Sequence, residues 1–149
     1  GTFPQTFDAV LALTGIGRYT AGAITSIAFN QPSPILDGNV IRVLTRLHGI
    51  EENPKDKTTN AELWERAEEL VHAAASYESR LTLHSSLLLS GPCSALNQSL
   101  MELGALICTA RVARCEICPV RSNCLTGSAQ PRGASLSKAT VRSRSRGKV

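Results

Sequence analysis

Four cysteines constrain this chain more than any other feature: Cys108, Cys115, Cys118 and Cys124, spaced C-x6-C-x2-C-x5-C. Thiols this close in sequence either pair as disulfides, stay apart as unconnected buried cysteines, or converge on a metal. Four thiolates around one centre suit a [4Fe–4S] cluster or a structural zinc. Zinc sites usually draw on two short CxxC knuckles, and Cys115-Glu-Ile-Cys118 is the one such knuckle here, so the spacing favours iron–sulfur. Arg111, Arg114 and Arg121 lie between the cysteines. The fifth cysteine, Cys93, falls outside the pattern and reads as a small apolar core residue.

The overall charge of +4 conceals an uneven distribution. Seven of the sixteen bases follow Glu116, the last acid; the remaining nine face all twelve acids, a formal −3. Glu51, Glu52, Asp56, Glu62, Glu65, Glu68 and Glu69 crowd one stretch that reads as a solvated face. A nucleic-acid partner would therefore be met by local clusters and backbone amides, not by bulk charge. With 149 residues and 42% hydrophobic content, the chain is long enough for one domain with a core. No apolar run nears the roughly 20 residues that span a bilayer, and no secretory signal opens the chain. A reducing intracellular compartment is expected. The start at Gly1 instead of Met suggests an upstream portion.

The apolar spacing is helical, and no alternating strand pattern stands out. Thr6 reads as the cap of a first helix carrying Val10, Leu11 and Leu13. Thr14-Gly15-Ile16-Gly17 breaks it. A second helix is expected from Arg18 to Phe29, with Ala21, Ile24, Ile27 and Ala28 inward. Gln31-Pro32-Ser33-Pro34 forces an extended turn. Asp37-Gly38-Asn39 opens a third helix with Val40, Val43, Leu44 and Leu47 at core spacing. Thr59-Asn60-Ala61-Glu62 reads as a capping box for a helix with Leu63, Trp64, Ala67, Leu70 and Val71 inward. Leu96, Leu100, Leu103 and Ile107 mark a last helix running into Cys108. The expected organisation is a helical core over 1–107, with 76–94 as an insertion, a cluster loop over 108–124, and a basic, disordered tail over 125–149.

The segment Leu13-Thr14-Gly15-Ile16-Gly17-Arg18-Tyr19-Thr20-Ala21-Gly22-Ala23 resembles the helix-hairpin-helix of the adenine DNA glycosylases. Ile35-Leu36-Asp37-Gly38-Asn39-Val40 resembles their catalytic aspartate segment. Asn97-Gln98 through Met101-Glu102-Leu103-Gly104-Ala105 resembles the helix leading into their cluster, and the cysteine spacing is that of the wider endonuclease III superfamily. The likeness covers about Phe7 to Leu125, apart from 76–94. It implies an all-α helix-hairpin-helix glycosylase fold, partial at its N-terminal side, with a C-terminal iron–sulfur loop. It also implies a [4Fe–4S] cofactor, double-stranded DNA with a mispaired adenine as partner, no membrane, and a monomer. The implied location is the nucleus or mitochondrion of a eukaryote or the cytoplasm of a bacterium.

The resemblance assigns Asp37 to the developing charge on the sugar, where a carboxylate stabilises an oxocarbenium-like centre. Asn39 would help position sugar and water, and Tyr19 would sit beside the sugar. Read without the family, Asp37 is equally an N-cap, Asn39 a turn residue and Tyr19 a half-buried aromatic. Gly15, Ile16, Gly17, Arg18, Arg111 and Arg114 would meet DNA. Bifunctional relatives that cut pyrimidine lesions carry a lysine where Tyr19 stands, and a phenol cannot form their Schiff base. They also read Asp-Thr-His where this chain has Asp37-Gly38-Asn39. Two rival readings are thus such a glycosylase/lyase and a noncatalytic DNA-binding iron–sulfur fragment. Thr14 replaces the family's hairpin proline, and Leu96 replaces a phenylalanine. The family's general acid, a glutamate on an earlier helix, has no counterpart, since no glutamate precedes Glu51. These 149 residues alone are expected to be inactive.

Overall fold

The computed structural model describes residues 1–78, 91–129 and 136–137. They form helices α1 (Phe7–Leu11), α2 (Arg18–Ala23), α3 (Gly38–Leu47), α4 (Lys57–Glu78), α5 (Pro92–Glu102) and α6 (Leu125–Ser128). α2 and α5 each continue into a wider π turn, over Ile24–Ala28 and Leu103–Ile107. Two-residue strands β1 (Val112–Ala113) and β2 (Leu136–Ser137) pair antiparallel, Val112 opposite Ser137. Among the described residues no helix is long and apolar enough to cross a membrane. The chain divides into two compact units, one of Gly1–Asp37 with Ala61–Ser99, the other of Gly38–Asn60 with Leu100–Val149.

In the first unit, α1 and α2 are joined by the glycine turn. Val10, Ala21, Ile35, Leu63 and Val71 are fully buried, and burying each of the larger aliphatics contributes about 1.5–3 kcal/mol. Thr6 precedes α1 in extended conformation, but its side chain makes no cap bond. α1, expected to carry Leu13, ends at Leu11; Leu11 and Leu13 are 37% and 39% exposed, and Val10 is its buried residue. The second helix also departs from expectation. A π turn is wider than an α turn and breaks the 3.6-residue spacing; within Ile24–Ala28, Thr25 and Ser26 are buried while Ala28 is exposed.

The polar interior this creates is hydrogen-bonded. Thr25 Oγ1 donates to the Ala21 carbonyl at 2.7 Å. Buried Asn97 donates to Ser26 Oγ at 2.8 Å and to the Ser33 carbonyl at 3.0 Å. Gly22 lies so close to the Pro34 carbonyl that a Cβ there has no room. Asn30 ends the second helix with φ 52°, a left-handed conformation that asparagine tolerates. Its Oδ1 accepts the N–H groups of Cys93 at 2.9 Å and Ser94 at 3.2 Å. Those are among the first amides of α5, which have no partner within their own helix. Cys93 is 1% exposed, as a small core residue should be.

The capping-box expectation is displaced. α4 begins at Lys57, two residues before Thr59, and Thr59 is 6% exposed within its first turn. Leu63, Ala67 and Val71 face inward as the spacing predicts, with Trp64 and Leu70 half-buried. The expected 76–94 insertion is helical at both described ends, in α4 and α5; residues 79–90 lie outside the described residues.

In the second unit, α3 buries Val40, Val43 and Leu44, three of the four expected positions. It lies against the 103–107 turn and α6. The close approach depends on Gly104, where a Cβ would stand 2.7 Å from Asn39 Cβ and 2.8 Å from the Asn39 carbonyl oxygen. The stretch expected to be a disordered tail contains α6, which lies against α3, and β2, which pairs with β1. Residues 130–135 and 138–149 of that stretch lie outside the described residues.

Candidate functional site

The hairpin is closed by backbone bonds from Leu13 N–H to the Val10 carbonyl and from Ile16 N–H to the Leu13 carbonyl, both 3.1 Å. Gly15 adopts φ +83°, a conformation that favours glycine. Gly17 is the N-cap of α2 in extended conformation, and a Cβ at either glycine would meet nothing within 4 Å. The outer face of the turn is therefore open. Gly15, Gly17 and Arg18 are exposed and Ile16 is half-buried. Tyr19, 39% exposed, stands on the first turn of α2.

Asp37 follows two buried residues, Ile35 at 0% and Leu36 at 7% exposure, and directly precedes α3. The apolar pair anchors the segment while Asp37 itself stays half-buried. Asn39, in the first turn of α3, accepts a 2.7 Å hydrogen bond at Oδ1 from Arg42 Nη2. The same guanidinium donates from Nη2 to the Gly104 carbonyl at 2.6 Å and from Nε to the Cys108 carbonyl at 2.7 Å. One turn further, Arg46 Nη1 donates to Thr109 O at 2.9 Å and to Cys108 O and Sγ at 3.2 Å. Two α3 arginines thus serve carbonyls at the end of the 103–107 turn, where a helix leaves acceptors open. The motifs did not single these arginines out. The visible signal was spacing: Asn39, Arg42 and Arg46 recur at three and four residues, one face of a helix.

Cys108, Cys115, Cys118 and Cys124 line a single cavity together with Arg46, Arg114, Arg121 and Gly127. The loop reaches this shape through two 3-10 turns, Cys115–Ile117 and Arg121–Asn123, and a bridge between Cys108 and Ala113. None of these cysteines forms a disulfide. Among the described residues no group of three His, Cys, Asp or Glu draws together around a single metal ion. Cys124 Sγ accepts the Gly127 N–H at 3.2 Å and donates to the Arg46 carbonyl at 3.3 Å. Burial pushes the Cys115 thiol up, and the other three sulfurs push it further, against the pull of Arg46. Burial also raises Cys118; an N–H from Val120 opposes this, and Cys108 and Cys124 reinforce it. Cys115 and Cys118 thus resist ionising beside the other sulfurs, and a shared cation would offset that resistance. Arg111 and Arg114 are exposed on this loop and Arg121 half-buried.

No family model matches the chain. It is 44% identical over 122 residues to an adenine DNA glycosylase of Arabidopsis thaliana, covering 82% of this chain and 17% of that protein. The adenine DNA glycosylase of Homo sapiens is 39% identical over 125 residues, covering 83% and 20%. That of Buchnera aphidicola is 38% identical over 125 residues, covering 84% and 31%. Among solved structures, a thermostable thymine-DNA glycosylase superimposes with a TM-score of 0.61 at 30% identity, over 86% of this chain and 51% of that one. The chain thus spans less than a third of the length of these curated relatives.

Proposed function

The chain belongs to the adenine DNA glycosylase family, and we propose that it supplies three parts of such an enzyme: the DNA-gripping hairpin, the Asp37 segment and a [4Fe–4S] loop. The complete enzyme would extrude adenine from a mispair with 8-oxoguanine or guanine and hydrolyse its N-glycosidic bond. The observation that carries this reading is the level of identity. It reaches 44% against a protein named for adenine, and stands at 30% against the one named for thymine.

Asp37 would face the sugar, its ionised carboxylate stabilising positive charge as the base departs. Asn39, held by Arg42, would orient the sugar and the attacking water. Tyr19 would stand beside the sugar, and as a phenol it forms no Schiff base, which favours hydrolysis without strand cleavage. Gly15, Ile16, Gly17 and Arg18 would meet one part of the DNA backbone, Arg111 and Arg114 another.

The thiol set fits an iron–sulfur cluster. The four cysteines line one cavity, and four cysteine thiolates are the usual ligand set of such a cluster. Cys108, Cys115, Cys118 and Cys124 would hold it, and when bound it would act as a cross-link fixing the loop. The bond-breaking chemistry belongs to the side chains named above.

Leaving adenine must be protonated, and Asp37 cannot donate a proton while stabilising a cation as the ionised form. These 149 residues by themselves are therefore expected to release no adenine. The test joins the chain to the family's upstream segment and measures single-turnover adenine release from a mispaired duplex. Asp37→Asn should slow release on the order of a hundredfold or more with DNA binding kept. Near-normal release by that variant refutes the assignment; a trapped Schiff base transfers the enzyme to the lyase class.

A further inference from the structure

Arg18 is held by a ring instead of an acid. Its guanidinium carbon lies 4.0 Å from the centroid of the Trp64 ring, and Trp64 is the only tryptophan of the chain. Arg18 is also the only Lys or Arg in the first 41 residues. Acids are plentiful on α4, but Glu62 and Glu69 pair with Arg66, and Glu68 with His72. Among the described residues no carboxylate pairs with Arg18 and no acceptor takes a hydrogen bond from it.

Stacking fixes a guanidinium without using its donors. The ring covers the flat face, while the N–H groups point outward in the plane, in a fork that matches phosphate oxygens. A free arginine loses rotamer freedom when it grips an anion; one already laid on a ring loses less. Charge-neutral contact with Trp64 also leaves the full positive charge available, as an ion pair would not.

We infer that Trp64 is a positioning residue for DNA binding, holding Arg18 beside Gly15-Ile16-Gly17 as a preset contact to a backbone phosphate. This rests on the reading that the hairpin meets duplex DNA. The contact carries no sequence information, because a phosphate is the same at every base pair.

The experiment titrates the 149-residue chain with a labelled, fully paired duplex at several salt concentrations. Arg18→Gln should weaken binding to all duplexes alike and flatten the slope of log affinity against log salt by about 0.9, the signature of one lost phosphate contact. Trp64→Leu should weaken binding roughly two- to fivefold, and Trp64→Phe, which keeps a ring, should lose less. In the R18Q background, Trp64→Leu should add nothing. Equal circular dichroism spectra and denaturation midpoints establish that the variants are folded, and Trp64→Phe stands in if the leucine variant is not. An unchanged salt slope in R18Q overturns the proposal. So does a further loss from Trp64→Leu in that background, since Trp64 would then act on the fold alone. A chain that binds no duplex fails differently, removing the hairpin reading itself.

Discussion

Replacing Arg42 with alanine should destabilise the unit of Gly38–Asn60 and Leu100–Val149 by about 3 kcal/mol. Four acceptors depend on this one side chain: the carbonyls of Cys108, Gly104 and Gly38 and the Asn39 amide oxygen. The bond to Gly38, 3.1 Å and exposed, is easily replaced by water and counts for little. The other three are 2.6–2.7 Å and part-buried. A buried bond to a charged donor is worth about 1.5–3 kcal/mol; partial water access brings each nearer to about 1 kcal/mol. Arg42→Lys keeps the charge but presents a compact ammonium that cannot span acceptors in three directions, so most of the loss should remain. Arg66→Ala is the control: its contacts of 3.4 and 3.5 Å are solvent-exposed, and its loss should stay below about 0.5 kcal/mol. Urea unfolding followed by circular dichroism at equal metal content gives the comparison. If Arg42→Ala shifts stability no more than Arg66→Ala, the reasoning fails.

Gly104→Ala should cost about 1–3 kcal/mol, because the new methyl meets the α3 backbone at Asn39, which cannot rotate away. Gly17→Ala, facing open space at φ −94°, should shift the denaturation midpoint little, the lost unfolded-state entropy offsetting the poorer N-cap. Anaerobically purified chain should carry about four irons with broad absorbance near about 400 nm, and Cys124→Ser should lose them; one zinc and no iron in the parent would refute the cluster.

Local signals were readable in the sequence. The glycine turn, the α3 core positions Val40, Val43 and Leu44, and the convergence of four cysteines each arise from residues close together in the chain. The features that escaped depend on partners far away. The bonds of Asn97 to Ser26 and Ser33 span 71 and 64 residues, and no periodicity marks a polar side chain as interior when its partner is that distant. The π turns are the second omission. The first breaks the 3.6-residue spacing over Ile24–Ala28, where Ser26, not Ala28, is buried. Thr59 is not the cap that the local pattern suggests, since α4 is already under way at Lys57.

The asparagine that ends the second helix has a consequence for chain length. A helix usually takes its first residue from whatever precedes it, so lengthening a connector shifts where the helix starts. Here the amides of Cys93 and Ser94 are claimed by Asn30, more than sixty residues away, and Gly91 passes against the same side chain with no room for a Cβ. The start of α5 is thus referenced to a residue adjacent in space but distant in the chain. A change in chain length before Gly91 therefore leaves the start of α5 tied to Asn30. The register that delivers Asn97 to its buried partners stays where it was.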